Sequence, residues 1–333
     1  VMNLLMNLGI TFVVLLGAYR VMGRKTDPGV IIAFTQYFTM ISTATLSITR
    51  IFMMYTRSTA SAARIQQVVD APRELTALSE ADYPIKEENG YIVFENVSFS
   101  YGGKGNHLKN ISFSLPRGQT LGIIGGTGSG KTTLINLLMR IYDINSGSIR
   151  IGGRDIRTFE GGELHRKFGI AMQNDFLYSD TIEENIRFGR ELSHEDIVRA
   201  AKIAQADEFI SASSDGYSRI LSPKATNLSG GQKQRLLIAR ALASRPQILI
   251  LDDSSSALDY RTDSNLRAAI AQNLENTTLI VVAQRVSSVM NCDLILVLDE
   301  GEIIGMGKHA QLLENCPVYR EISNSQMGGS FVE

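Results

Sequence analysis

The sequence predicts an α/β domain with an all-α hairpin in front of it, and three observations carry that expectation. Residues 1 to 62 hold six charged side chains (Arg20, Arg24, Lys25, Asp27, Arg50 and Arg57), whereas the other 271 residues hold 61. From Thr120 an apolar strand passes through a glycine loop into apolar residues at helical spacing. Gln247 to Asp252 is an apolar strand ending in a carboxylate. A chain of 333 residues, 44% apolar and 20% charged, has room for two domains. With 33 basic and 34 acidic side chains, it carries no basic excess for a nucleic-acid backbone, which argues against a DNA-coating protein. Cys292 and Cys316 stand in no CxxC or Cys/His spacing, so neither a disulfide framework nor structural zinc is indicated.

Taken in order, Val1 to Tyr19 is a run of 19 uncharged residues and Pro28 to Thr49 a run of 22. As helices they reach roughly 28 and 33 Å, against about 30 Å of bilayer hydrocarbon. Buried helices of a soluble domain have the same length, and Asn3, Asn7, Thr35, Gln36, Thr39, Ser42, Thr43 and Thr45 suit that alternative. Polar positions that face other spans account for them equally. A signal peptide needs a basic segment before the apolar run, and none is present. The favoured reading is a hairpin of two spans turning at residues 24–29. Charge does not orient it, since Arg20, Arg24 and Lys25 nearly balance Arg50, Arg57, Arg64 and Arg73. An amphipathic helical pattern through Arg64, Ile65, Val68 and Val69 stops near Pro72. A polar stretch from Arg73 to Asn89 separates it from a strand at Tyr91 to Phe94. The expected organisation is a helical region 1–70, a linker 71–90 and an α/β domain 91–333.

Gly125 to Thr132 fits G-x-x-x-x-G-K-[ST], the phosphate-binding loop of P-loop NTPases. Consecutive backbone N–H groups converge on a triphosphate only where no Cβ intervenes, which is the expected reason for Gly125, Gly128 and Gly130. Gly126, Thr127, Ser129 and Thr133 complete the cradle. Lys131 brings a cation to the β- and γ-phosphates, and the Thr132 hydroxyl suits Mg²⁺. Asp252 suits contact with the same ion through a water or through one of the ion's own ligands.

Between these elements stands Leu228-Ser229-Gly230-Gly231-Gln232, followed by an apolar helical run to Leu242. With this signature the sequence resembles an ABC transporter. The resemblance implies that two nucleotide domains meet head to tail, with Ser229, Gly230, Gly231 and Gln232 capping the γ-phosphate held by the other chain. It implies that Tyr101 stacks on adenine, that Gln173 ligates Mg²⁺ and senses the membrane domain, and that Asp259 lies in the loop that communicates across the dimer. Gly301 to Tyr319 resembles the family's closing segment. Residues 1–90 resemble the exporter branch, where two of six spans lead into the nucleotide domain; on that layout four spans precede Val1. The implied protein is a half-transporter in the plasma membrane with its nucleotide domain in the cytoplasm, moving a small molecule, lipid or peptide. A soluble ABC ATPase with a helical appendage is the rival reading.

Two departures stand out. Where the family has Glu after the strand aspartate this chain has Asp253, and where it has a switch histidine before Arg285 this chain has Gln284. An Asp is one methylene shorter, and an amide donates a hydrogen bond but cannot become a cation. A third departure is residues 216–228, which hold no acidic residue where exporters often place a glutamate. With P-loop and signature intact, the pattern resembles the degenerate subunit of a heterodimeric exporter. A slow homodimer is the alternative.

Overall fold

The computed structural model describes residues 2–71, 75–87, 89–103, 105, 107–160, 162–172, 175–252, 258–274 and 276–327. The chain divides into two compact units, Val1–Glu74 and Leu75–Glu333.

The first unit is a pair of helices, α1 (Met2–Met22) and α2 (Pro28–Val69). Pro28 opens α2, where its missing N–H costs nothing, and the turn between the helices falls where the charged residues predict it. Gly9 and Gly17 let α2 approach α1. A Cβ at Gly9 would lie 2.7 Å from the Phe38 ring, and one at Gly17 would lie 2.9 Å from Ile31. Six hydroxyls find partners in their own helix: those of Thr11, Thr35, Thr39, Thr43, Thr45 and Ser47 each donate to the carbonyl four residues earlier. Hydroxyls satisfied in this way tolerate an apolar surround. Phe12, Leu15, Ile32, Phe34, Tyr37, Met40 and Phe52 stand exposed. Among the described residues α2 is the one helix long and apolar enough to cross a membrane, and the described apolar part of α1 is the shorter Met6–Met22. At 42 residues α2 is about 63 Å long, twice the hydrocarbon thickness, so the amphipathic segment through Val69 continues the same helix.

The second unit begins with an extended stretch bonded to its own β-layer. Leu78 N–H donates to the Arg157 carbonyl at 2.8 Å and Lys86 N–H to the Gly153 carbonyl at 3.0 Å. Arg140 donates to the Thr76 carbonyl at 2.8 Å, and Arg154 pairs with Glu80. A four-stranded antiparallel sheet follows, built from β1 (Ile92–Phe99), β2 (Leu108–Leu115), β4 (Ser146–Ile151) and β5 (Arg154–Asp155) in the order β2-β1-β4-β5. The second sheet comprises β3 (Thr120–Gly125), β6 (Phe168–Ala171), β7 (Ile248–Asp252), β8 (Thr278–Ala283), β9 (Leu294–Asp299) and β10 (Glu302–Gly307), ordered β10-β9-β3-β8-β7-β6. All its pairings are parallel except β10 on β9.

The helices are α3 (Lys131–Leu138), α4 (Ile182–Arg187), α5 (His194–Ile203), α6 (Asp207–Ser211), α7 (Gly230–Leu242), α8 (Tyr260–Asn273), α9 (Val286–Val289), α10 (His309–Asn315) and α11 (Pro317–Met327). The strands alternate between two cores because successive side chains point to opposite faces. Ile123, Ile250, Ile280, Val282 and Leu296 join Leu134, Ile135 and Leu138 of α3 and the antiparallel sheet. Ile124, Leu249, Leu251, Val281 and Val297 join α4, α5, α7 and α9 on the other face. Near-continuous apolar strands are what a sheet covered on both faces requires.

Candidate nucleotide-binding site

The loop between β3 and α3 is built as the sequence predicts, and its first glycine meets a further requirement. A Cβ at Gly125 would lie 2.2 Å from the Leu298 carbonyl oxygen, so the close approach of β9 also demands a glycine there. Gly130 has φ +104°, and a Cβ there would also strike Leu108. Around Gly126 and Gly128 the space is open, and Gly126, Thr127 and Gly128 are exposed. Helix α3 starts at Lys131 with no side-chain cap and no acidic residue in its first turn. Its leading N–H groups are therefore available to an anion. The Lys131 ammonium lies over the loop, donating to the carbonyls of Gly125 (2.9 Å) and Gly126 (2.6 Å) and to Ser129 Oγ (3.4 Å). Thr132 is exposed at the same mouth.

Tyr101 stands beside this helix, its hydroxyl 3.4 Å from Thr133 Oγ1. Its ring meets Phe99, His107 and Tyr142 edge-on at 4.7, 4.9 and 5.1 Å, and its N–H donates to His107 Nδ1. Sequence reasoning found Tyr101 and missed His107 and Tyr142, which hold the ring upright. No local pattern marks them.

Strand register gathers the remaining groups. Ile124 pairs with Ala283, Val282 with Asp252, and Leu251 with Ala171, so β3, β8, β7 and β6 end level with one another. Gln284, the residue that follows β8, thus emerges between the P-loop strand and Asp252. Asp252 is buried and Gln284 exposed. Asp253 and Gln173 lie outside the described residues. Among the described residues no group of three or more His, Cys, Asp or Glu could hold a metal ion. The donors present nevertheless fit Mg²⁺, which takes one or two protein oxygens and completes its shell with phosphate and water. Thr132, exposed at the loop, and Asp252, at the end of β7, carry oxygens of that kind.

At the signature, Ser229 and Gln232 cap each other: Ser229 Oγ accepts from Gln232 N–H and Gln232 Oε1 accepts from Ser229 N–H at 3.0 Å. Their side chains open α7, and Ser229 and Gly230 are exposed at its tip. Asp259 caps α8 in the same manner, accepting from Thr262 N–H (2.9 Å) and hydroxyl (2.7 Å). Those bonds, the backbone one foremost, hold its carboxyl below the ordinary range.

The buried Arg240 of α7 is a functional candidate that motif reading passed over. Its guanidinium donates to the carbonyls of Asn185 (2.9 Å) and Phe176 (3.0 Å), reaches Asp175, and stacks on Phe188. Asn185 in turn bonds the backbone of Tyr178 and Thr181. The signature helix is thereby tied to the segment that follows Gln173, where Phe176, Tyr178 and Phe188 form an exposed aromatic patch. An arginine inside an otherwise apolar helical run was the available signal.

Comparison with known proteins agrees with this geometry. Residues 108–256 match the family model described as ABC transporter. YfiB of Bacillus subtilis, described as an uncharacterized ABC transporter ATP-binding protein, is 39% identical over 98% of this chain and 57% of its own. ATP-binding cassette sub-family B member 6 of Xenopus tropicalis is 37% identical over 98% of this chain and 39% of its own. Among solved structures, a bacterial Atm1-family ABC exporter with ATP bound superposes with a TM-score of 0.73 at 31% identity, covering 91% of this chain and 53% of the exporter. The chain thus spans about half the length of the curated relatives it matches. Uncapped α3, level strand ends and a self-capped signature helix together are an ABC nucleotide-binding domain, and the chain belongs to the ABC transporter family.

Proposed function

We propose that the chain is the ATP-binding and membrane-spanning subunit of an ABC exporter, working as a pair in a lipid bilayer and coupling ATP hydrolysis to export of a small molecule, lipid or peptide. A heterodimer is the pairing we favour. In it this chain's own Walker site is the slow one, and Ser229 to Gln232 complete the fast site of the partner.

The observation that carries the paired arrangement is the placement of α7. It packs on β6 at the edge of the sheet, three strands from β3. At about 4.8 Å per strand, β6 lies roughly 14 Å from the P-loop strand. One triphosphate held at Lys131 is served more directly by the signature of another chain.

At this chain's own site the α3 amides and Lys131 bind the phosphates, exchanging the ammonium's loop carbonyls for phosphate oxygens. Tyr101 offers a π-face to the base. Thr132 and Asp252, with Gln173, would hold Mg²⁺, which supplies charge neutralisation on the β- and γ-phosphates. Gln284 donates one neutral hydrogen bond toward the γ-phosphate, where an imidazolium would bring charge. At position 253 an aspartate is one methylene shorter than a glutamate, a difference of about 1 Å, and a misplacement of that order of the group that polarises water costs about 10²-fold in rate.

The test is a rescue. Asp253→Glu combined with Gln284→His should raise ATP turnover at this site by more than about tenfold in purified dimers that keep an intact signature. Unchanged turnover in the double variant defeats the degenerate-site reading.

A further inference from the structure

Between β8 and α9 only Gln284 and Arg285 intervene, and the conformation of this short link decides where the Gln284 side chain stands. Arg285 is the N-cap of α9, extended at φ −102° and ψ 131°, and makes no side-chain cap. The Val286 N–H therefore needs an acceptor from elsewhere. It finds one in α11: Gln326 Oε1 accepts from Val286 N–H at 2.8 Å. The same amide's Nε2 donates to the Gln284 carbonyl at 2.9 Å. One side chain thus bridges both sides of Arg285, as a neighbouring β-strand would. Only a primary amide offers donor and acceptor side by side, and asparagine is a methylene short.

The arm that carries this amide is anchored. Tyr319, Ser323 and Gln326 follow one another at i, i+4 and i+7, one face of α11. Tyr319 is fully buried, its hydroxyl 2.7 Å from His309 Nδ1, and Ser323 is also buried. The face that roots α11 in the core is the face that presents Gln326 to the link.

We propose that Gln326 is a positioning residue for the nucleotide switch: by clamping the backbone on both sides of Arg285 it sets the direction in which Gln284 meets the γ-phosphate. The proposal rests on the reading of Gln284 as the switch residue. Gln326 touches no nucleotide itself. Its effect is selective for the third phosphate, because the P-loop and Tyr101 hold the rest of the nucleotide without it.

The experiment measures affinity of the purified, detergent-solubilised chain for AMP-PNP and for ADP by calorimetry, in the presence of Mg²⁺. Gln326→Ala should weaken AMP-PNP binding by about fivefold or more, the worth of one to two net hydrogen bonds, and leave ADP binding within about twofold. Gln326→Glu keeps the acceptor for Val286 and loses the donor to Gln284, so it should fall between wild type and Gln326→Ala. In a Gln284→Ala background the further loss from Gln326→Ala should shrink below about twofold, since the two act as one unit. Full additivity, or equal weakening of AMP-PNP and ADP, overturns the clamp. If Gln284→Ala does not alter the preference for AMP-PNP over ADP, the switch assignment itself has failed. Should Gln326→Ala not fold, hydrogen exchange in the wild-type chain decides: Val286 N–H must be protected, and rapid exchange there overturns the proposal.

Discussion

Cys292 illustrates how strongly a single buried position can be set by its surroundings. The thiol sits against Gly122, where an added Cβ would come within 3.3 Å of Sγ. Burial pushes its pKa up to about 11, with Arg267 pulling weakly the other way. In the unfolded chain a thiol titrates near about 8.5. The folded form holds the proton more tightly, so this group's contribution to stability is complete below about pH 8.5 and is lost as the pH rises through about 11. At pH 8 the folded thiolate is scarcer than the unfolded by a factor on the order of 10². A Cys316→Ser chain should accordingly react with iodoacetamide about 10²-fold more slowly when folded than in denaturant. Equal rates would mean that Cys292 is open to solvent. Gln284 presents the opposite case. It is exposed at the strand ends, and on the proposed reading its identity matters because an amide cannot become the cation that an imidazole can.

At the scale of elements, Arg240 makes α7 and the segment around α4 one mechanical piece. Burial lowers the pKa of its guanidinium, although Asp175 opposes that shift. Arg240→Met would fill much of the space but orphan the Phe176 and Asn185 carbonyls. The expected loss is about 2–4 kcal/mol, or about 5–10 °C in the melting temperature of the nucleotide domain. A calorimetric scan checks this, and a shift below about 2 °C would mean that water replaces the guanidinium. The elements themselves were legible wherever chemistry and period coincide. The P-loop strand and helix, the Asp252 strand and the start of the signature helix all stand where glycine spacing and apolar runs put them. What escaped the sequence depends on partners distant along the chain. Gly125 is required by Leu298, Tyr101 is steadied by Tyr142, and Gln326 reaches back to Val286, across 173, 41 and 40 positions. The mutual cap by which Ser229 and Gln232 fix the start of their own helix was likewise not read from the sequence. The polar residues of α2 left two environments open because i−4 bonding of their hydroxyls is invisible to composition.

For the whole molecule, the proposed pairing raises the question of which of two chains each motif serves, and this chain's motifs make the answer measurable. In a head-to-tail pair every site joins the P-loop of one chain to the signature of the other. If this chain's Walker site is the slow one, damage to its P-loop removes little of the pair's turnover, while damage to its signature strikes the fast site. The signature change must not unfold α7, because Ser229 also caps that helix. Ser229→Asp meets this need: aspartate is as good an N-cap as serine, yet it sets a negative charge against the γ-phosphate. Lys131→Ala removes the P-loop cation and the bonds to Gly125 and Gly126. In steady-state assays of the purified pair, Ser229→Asp should remove more than about nine-tenths of ATP turnover, a loss of about 1.4 kcal/mol or more in transition-state stabilisation. Lys131→Ala in the same chain should leave about half or more. The inequality follows from the two sites differing in rate and does not depend on the substrate. Equal losses from the two variants would identify a symmetric pair in which Asp253 and Gln284 suffice for catalysis, and the degenerate assignment would fall while the composite site stood.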